Sequence, residues 1–190
     1  YRNLLAALKR GGFTSIVPGQ GDISLQEGRT VLLRHDVDKK PENSLKMAVI
    51  EAEMGFHAIY YFRAGKCSWD ESVVTEIAAL GHEIGYHYES LATCKGNIDA
   101  AYEDFCKNLQ RLRTIVPVES ICMHGSPKSP WDSKDLWKKY SYKDLGISFE
   151  PYLDTDFSIT FYITDTGRRW DGYKVSVRDK IPVYQDIWLQ

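Results

Sequence analysis

The stretch Val31-Leu32-Leu33-Arg34-His35-Asp36-Val37-Asp38 joins an apolar run to two closely spaced carboxylates. The apolar run predicts a buried strand, in which successive side chains alternate between faces. Asp36 and Asp38 would then share one face, roughly 6.6 Å apart along the backbone, and His35 would face the other way. Open α/β and barrel enzymes keep their chemistry at the carboxyl ends of such strands. The pair suits a metal ligand beside a proton acceptor, but two ordinary loop acids, one of them an N-cap for a helix after Pro41, explain it equally well.

The rest of the chain alternates strand and helix patterns separated by short turns that often contain glycine. Helices are predicted over residues 2–10, 41–54, 70–80, 97–116 and 132–140, and strands over 31–36, 57–63, 82–87, 118–124, 147–149 and 159–164. This order is typical of an α/β protein whose parallel strands are joined by right-handed crossovers. At 190 residues the whole chain, 1–190, is expected to form one domain.

Composition excludes several classes of partner. A net charge of -2 gives no electrostatic reason to expect binding to nucleic acid or to an acidic membrane surface. No run of ~18 apolar residues predicts a transmembrane helix. The four cysteines form no CxxC pair, which favours a reducing, cytoplasmic location, although a leader could have been removed before Tyr1. The sequence does not indicate an oligomeric state.

Titratable side chains occur at the carboxyl ends of most predicted strands. In chain order these are Asp36 and Asp38, Arg63, His87 with Glu89 just beyond it, His124, and Asp165. In a parallel sheet these ends share one rim, so the side chains are expected to meet.

Asp38 and His87 would supply one oxygen and one nitrogen ligand, which suits zinc without excluding other borderline divalent ions. A catalytic zinc needs about three protein ligands and an open position. His124 is the first candidate for the third ligand and Glu89 the second. His82 is five residues from His87, on the opposite face of the strand and about 16 Å away, and is expected to be structural.

These motifs resemble the polysaccharide deacetylases, the NodB-homology group of carbohydrate esterases, over most of residues 30 to 170. Arg34-His35-Asp36-Val37-Asp38 is similar to the first motif of that family, in which the first Asp is the base and the second binds the metal. Gly81-His82-Glu83-Ile84-Gly85-Tyr86-His87 resembles the second motif, whose final His is a ligand. Ala58-Ile59-Tyr60-Tyr61-Phe62 resembles the second strand of the family. Asp165-Thr166-Gly167-Arg168-Arg169-Trp170 resembles the fourth motif, whose Asp orients the base and whose Trp walls the pocket.

The resemblance implies a deformed (β/α) barrel of mainly parallel strands with outer helices. It also implies a zinc-dependent hydrolase that removes N-acetyl groups from a sugar or polysaccharide, in the synthesis or modification of cell-surface glycans. Asp36 and Asp165 would be catalytic, and backbone N–H groups near Ser68 or Trp69 would hold the oxyanion. The residues expected to contact the sugar are Arg63, Tyr88, Trp131 and Trp170.

The chain departs from the family at three positions. Leu91 stands where the family usually has a second metal-binding His, and His124 lies near the position of the Arg in the third motif. The late Leu-x-His motif, which supplies the catalytic acid, has no counterpart before Gln190, so either the chain is cut short or the acid comes from elsewhere. A catalytically silent carbohydrate-binding module and a hydrolase of another C–N bond, such as a ureide or cyclic amide, are therefore alternatives.

Overall fold

The computed structural model describes residues 1–18, 29–125, 129–158, 160 and 162–164. Its α-helices are α1 (Arg2–Arg10), α2 (Pro41–Met54), α3 (Glu71–Ala79), α4 (Ser90–Thr93), α5 (Ile98–Arg113) and α6 (Pro151–Asp154). The strands are β1 (Thr14–Ser15), β2 (Thr30–Val31), β3 (Leu33–Val37), β4 (Ala58–Arg63), β5 (Glu83–Tyr88) and β6 (Ser120–Met123). Within these described ranges, 3₁₀-helices cover Ser133–Lys138 and Lys143–Leu145.

The main sheet consists of four parallel strands in the order β3-β4-β5-β6. Helices α2, α3 and α5 lie in the connections between consecutive strands. The prediction of an α/β fold with parallel strands is therefore confirmed. Within the described ranges the sheet is a curled half-barrel, and no closed barrel is present.

Three predicted strands differ from the structure. The predicted strand 31–36 is divided, because β2 pairs with β1 whereas β3 pairs with β4. The predicted strand 147–149 is reduced to a single bridge between Phe149 and Ser120. Of the predicted strand 159–164, residues 159 and 161 lie outside the described residues, and 160 and 162–164 are not in a strand.

Local sequence signals set the helix ends. The Asp70 carboxylate accepts hydrogen bonds from the backbone N–H groups of Ser72 and Val73 at the start of α3. Asn97 caps α5 in the same way. Helix α2 begins at Pro41 and stops at Gly55, whose φ of 79° is a left-handed conformation that favours glycine. The predicted helix 132–140 is instead a short 3₁₀-helix capped by Asp132.

Both faces of the main sheet are covered by apolar side chains. Alternate side chains of β4 point to opposite faces of the sheet. Tyr60 and Phe62 belong to the core on the face that the helices cover, whereas Ile59 and Tyr61 pack with Cys122 on the opposite face, here called the inner face. All five side chains are fully buried. The inner face is thus filled by apolar groups below its rim, and the polar groups of interest lie at the strand ends.

The absence of a side chain at Gly85 leaves room for the ring of Tyr61 on the inner face. The two residues are neighbours in the β4–β5 register, and a Cβ atom on Gly85 would overlap the Tyr61 ring. We expect Gly85→Ala to lower the free energy of unfolding by about 1–3 kcal/mol, measured by urea denaturation, because the ring must leave its rotamer or the strands must separate. Gly65→Ala is the matched control, since its Cβ would meet no atom within 4 Å. Equal stability of the two variants would contradict this account.

A polar network is buried between α2 and the sheet. Glu51 is 0% exposed, and its Oε2 accepts a 2.6 Å hydrogen bond from the Tyr60 hydroxyl. Its Oε1 lies 2.6 Å from His35 Nε2 and also accepts a hydrogen bond from the Tyr1 hydroxyl. His82 Nδ1 lies 3.8 Å from Oε2. His35 therefore faces away from Asp36, as the strand pattern predicts.

His82 has a structural role, also as predicted. Its Nε2 lies 2.9 Å from the Ala48 carbonyl oxygen, and its Nδ1 accepts a 3.1 Å hydrogen bond from the Ala58 N–H. Burial lowers the pKa of His82 below its ordinary value of 6.5, although the Ala48 carbonyl and the Glu51 charge oppose this shift. The neutral ring is thus the form that the fold accommodates.

The lowered pKa of His82 predicts a stability that depends on pH. Just below pH 6.5 the unfolded chain binds more protons at this residue than the folded chain does. The free energy of unfolding therefore rises with pH in that window, and the contribution of His82 is lost as the pH falls. We expect His82→Gln to flatten this dependence between about pH 5 and 6.5 in urea denaturation series. An unchanged slope would show that His82 does not titrate with unfolding.

A second unit begins at Leu153, and among its described residues the rings of Phe157 and Tyr162 meet edge to face, 5.7 Å apart. Among the helices of the described ranges, none has the length and apolarity needed to cross a bilayer.

Candidate metal centre

The strand ends bring two carboxylates and a histidine together on the inner face. Asp36 is near the end of β3, Asp38 follows it, and His87 lies on β5, two strands away. His87 Nε2 is 3.8 Å from Asp38 Oδ1 and 3.9 Å from Asp36 Oδ2. The alternation predicted for β3 is thus confirmed, since both carboxylates approach the same imidazole.

His124 joins this group from the end of β6. Its backbone N–H donates a 2.8 Å hydrogen bond to the Tyr88 carbonyl, which extends the β5–β6 pairing and fixes the ring at the rim. His124 Nδ1 lies 3.1 Å from Asp38 Oδ1 and 3.2 Å from His87 Nε2. The donor atoms of Asp38, His87 and His124 all lie within 4.8 Å of one another.

These separations fit the donor set of a zinc ion. Zn–N bonds of 2.0–2.1 Å in a tetrahedral arrangement place two ligand nitrogens about 3.3 Å apart, close to the distance between His87 and His124. Asp38 Oδ1 is shielded from solvent and has no hydrogen-bond partner of good geometry. A buried carboxylate oxygen without a donor is costly unless something else, such as a cation, satisfies it. The residues present therefore suit a divalent metal ion.

A backbone contact orients His87 for this role. Its Nδ1 lies 2.8 Å from the Cys122 carbonyl oxygen, so this nitrogen carries the proton and Nε2 presents its lone pair to the site. His87 is 2% exposed, and burial lowers its pKa against the opposing charge of Asp36. The neutral imidazole, which is the metal-binding form, is therefore favoured at neutral pH.

Asp38 is held in its ionised form. Burial would raise the pKa of Asp38, but the neighbouring His124, together with the charge of Arg63, brings it below its ordinary value. An ionised carboxylate is the form that binds a cation.

A hydrogen bond from Arg34, which was not predicted from the sequence, orients Asp36. Arg34 Nη2 donates hydrogen bonds to Asp36 Oδ2 at 3.2 Å and to the Tyr152 hydroxyl at 3.1 Å. The Arg34 guanidinium also lies 5.0 Å from the centre of the Tyr152 ring. A signal was available, because Arg34 is two residues before Asp36 and must share its face.

Arg63 and Glu89 form the edge of the site beside these residues. Arg63 donates to Glu89 Oε1 through Nη2 at 2.5 Å and through Nε at 3.2 Å, and its Nη1 is 3.9 Å from Asp38 Oδ1. Glu89 Oε2 approaches His124 Nε2 only to 3.9 Å. The structure therefore places His124, and not the alternative Glu89, with Asp38 and His87.

Several other predicted positions have different surroundings. The prediction that Tyr88 contacts sugar is wrong, because Tyr88 is fully buried beneath α5 and its hydroxyl accepts a 2.8 Å hydrogen bond from Trp137 Nε1. The backbone N–H groups of Ser68 and Trp69 both donate to the Gly65 carbonyl, so they are not free to hold an oxyanion.

The remaining candidates have no confirmed role. Trp131 is 40% exposed and its ring packs over Gly96, in the connection between α4 and α5. Leu91 is buried in the main core, which agrees with its inability to bind metal. Asp165 and Trp170 lie outside the described residues.

No family model, curated protein or solved structure matches this chain. The structure by itself defines a mixed α/β protein with a group of residues that could hold a metal ion.

Proposed function

We propose that this protein is a metal-dependent hydrolase that removes N-acetyl groups from a sugar or polysaccharide. The observation that carries the proposal is the convergence of Asp38, His87 and His124, with the Asp36 carboxylate alongside. The substrate class comes from the resemblance of residues 30–170 to polysaccharide deacetylases. We extend the same proposal to the architecture, in which the curled sheet forms part of a deformed (β/α) barrel.

Zinc is the metal that this donor set suits best. One carboxylate oxygen and two imidazole nitrogens are typical of catalytic zinc sites, which keep a further position open. A divalent ion held there supplies Lewis-acid chemistry, polarising an amide carbonyl and making water nucleophilic at neutral pH.

Asp36 is the proton acceptor in this proposal. Its carboxylate lies 3.9 Å from His87 Nε2, and its side chain is 29% exposed, so water can reach it. The hydrogen bond from Arg34 fixes its orientation. The proton that Asp36 takes from water is then available for the departing amine, which needs one when the C–N bond breaks.

Other side chains would bind and orient the substrate. Arg63 is a partly exposed cation beside the site, suited to a sugar hydroxyl or a carbonyl oxygen. Trp131 would stack against a sugar ring, as the resemblance implies.

Acetate release tests this function. The protein is stripped with a chelator, reloaded with zinc, and incubated with oligomers of N-acetylglucosamine. We expect acetate release that requires the metal. A zinc-loaded protein that releases no acetate from a panel of N-acetylated sugars would contradict the proposal. Turnover of ureides or cyclic amides would then indicate another C–N hydrolase, and glycan binding without turnover would indicate a silent module.

A further inference from the structure

Cys122 lies next to the metal centre without belonging to the ligand group described above. It is on β6, two residues before His124, and it is the register partner of His87. Its side chain is fully buried on the inner face. The sulfur, an Asp36 carboxylate oxygen and a His87 ring nitrogen all lie within 4.8 Å of one another.

Two donor sets therefore share one histidine. Asp38, His87 and His124 form the first set, and Asp36, His87 and Cys122 form the second. His87 Nδ1 is engaged by the Cys122 carbonyl, which leaves Nε2 as the one nitrogen available to an ion. An ion held by Asp36 and Cys122 would therefore occupy the same His87 nitrogen that the first set needs.

The two sets differ in chemical softness. The first offers only oxygen and nitrogen, whereas the second includes a sulfur, and thiolates prefer soft, thiophilic metals. The second set also uses Asp36, the residue that must remain free to accept a proton from water.

We propose that Asp36, His87 and Cys122 form an alternative site for thiophilic divalent cations, such as cadmium or zinc in excess. On binding, the Cys122 S–H bond breaks, its proton goes to solvent, and a metal–sulfur bond forms. Occupation of this site engages His87 and removes Asp36 as a base, so the hydrolase is inhibited. The inhibitory consequence rests on the proposed function, but the binding itself does not.

Cadmium absorption tests the site directly. Cadmium bound to a thiolate gives an ultraviolet charge-transfer band that oxygen and nitrogen ligands do not give. The experiment uses a variant in which Cys67, Cys94 and Cys106 are changed to serine, so that Cys122 is the remaining thiol. We expect this variant to show the band with cadmium alone, and the band to be lost when Cys122→Ser is added.

His124→Ala separates the two donor sets. We expect the band to persist in this variant, because His124 belongs only to the first set. A band that is absent from the triple variant, that survives Cys122→Ser, or that disappears with His124→Ala would overturn the proposal. Circular dichroism checks the fold of each variant, and Cys122→Ala replaces Cys122→Ser if the serine disturbs it. Because the readout is independent of catalysis, failure of the acetate assay with the band intact would refute only the function.

Discussion

Replacing Asp36 with asparagine will abolish acetate release and leave the zinc content of the protein unchanged. The amide cannot accept a proton from water, and loss of a general base typically costs about 10²–10⁴ in rate. Asparagine keeps an oxygen that accepts the hydrogen bond from Arg34, so the side chain stays in place. Turnover is measured as acetate release, and zinc is measured by elemental analysis of the same preparation.

Asp38→Asn is the matched control for this experiment. Asp38 is two residues away on the same face, but its Oδ1 is the atom 3.1 Å from His124 and 3.8 Å from His87. We expect this variant to lose zinc as well as activity. An active Asp36→Asn variant would remove Asp36 as the base, and loss of zinc from that variant would place Asp36 among the ligands.

Replacing Glu51 with alanine will destabilise the fold by about 3–5 kcal/mol, the typical cost of removing one partner of a buried ionic group. The change leaves the Tyr60 hydroxyl and the Tyr1 hydroxyl without their shared acceptor, and His35 loses its 2.6 Å contact. Buried donors without an acceptor pay the full cost of desolvation. Urea denaturation measures the loss.

Glu53→Ala provides the comparison on the same helix. Glu53 forms a 2.5 Å ion pair with Arg2, but both side chains are more than half exposed. Exposed pairs contribute about 0–1 kcal/mol, so this variant should remain close to the parent protein. Similar losses from the two variants would show that the buried network does not stabilise the fold.

Alternation along strands accounts for most of what the sequence reveals about the site. It predicts that Asp36 and Asp38 share a face and that His35 lies behind them, and the structure agrees. The same rule applied to β5 places Tyr88 opposite His87, in the core, which is why the expected sugar contact of Tyr88 is wrong. Applied to β3 and β6, it also identifies Arg34 and Cys122 as neighbours of the site.

Other features depend on contacts between distant parts of the chain. Nothing local distinguishes Glu51 from a surface acid of α2, because the groups that contact it come from Tyr1, β3 and β4. The short segment 147–149 has strand composition but forms a single bridge, through Phe149. Strand propensity is a weak preference, and the tertiary contacts of a segment decide whether it pairs. The choice of His124 over Glu89 likewise follows from Arg63, which holds Glu89 in an ion pair.

In the proposed metal centre, Asp38, His87 and His124 together bind one divalent ion. Anomalous X-ray diffraction from crystals grown with one equivalent of zinc tests it most directly. We expect a single zinc with Asp38 Oδ1, His87 Nε2 and His124 Nδ1 each within about 2.3 Å, and Asp36 outside that shell. An ion whose ligands include neither Asp38 nor His87, or crystals without bound zinc, would contradict it.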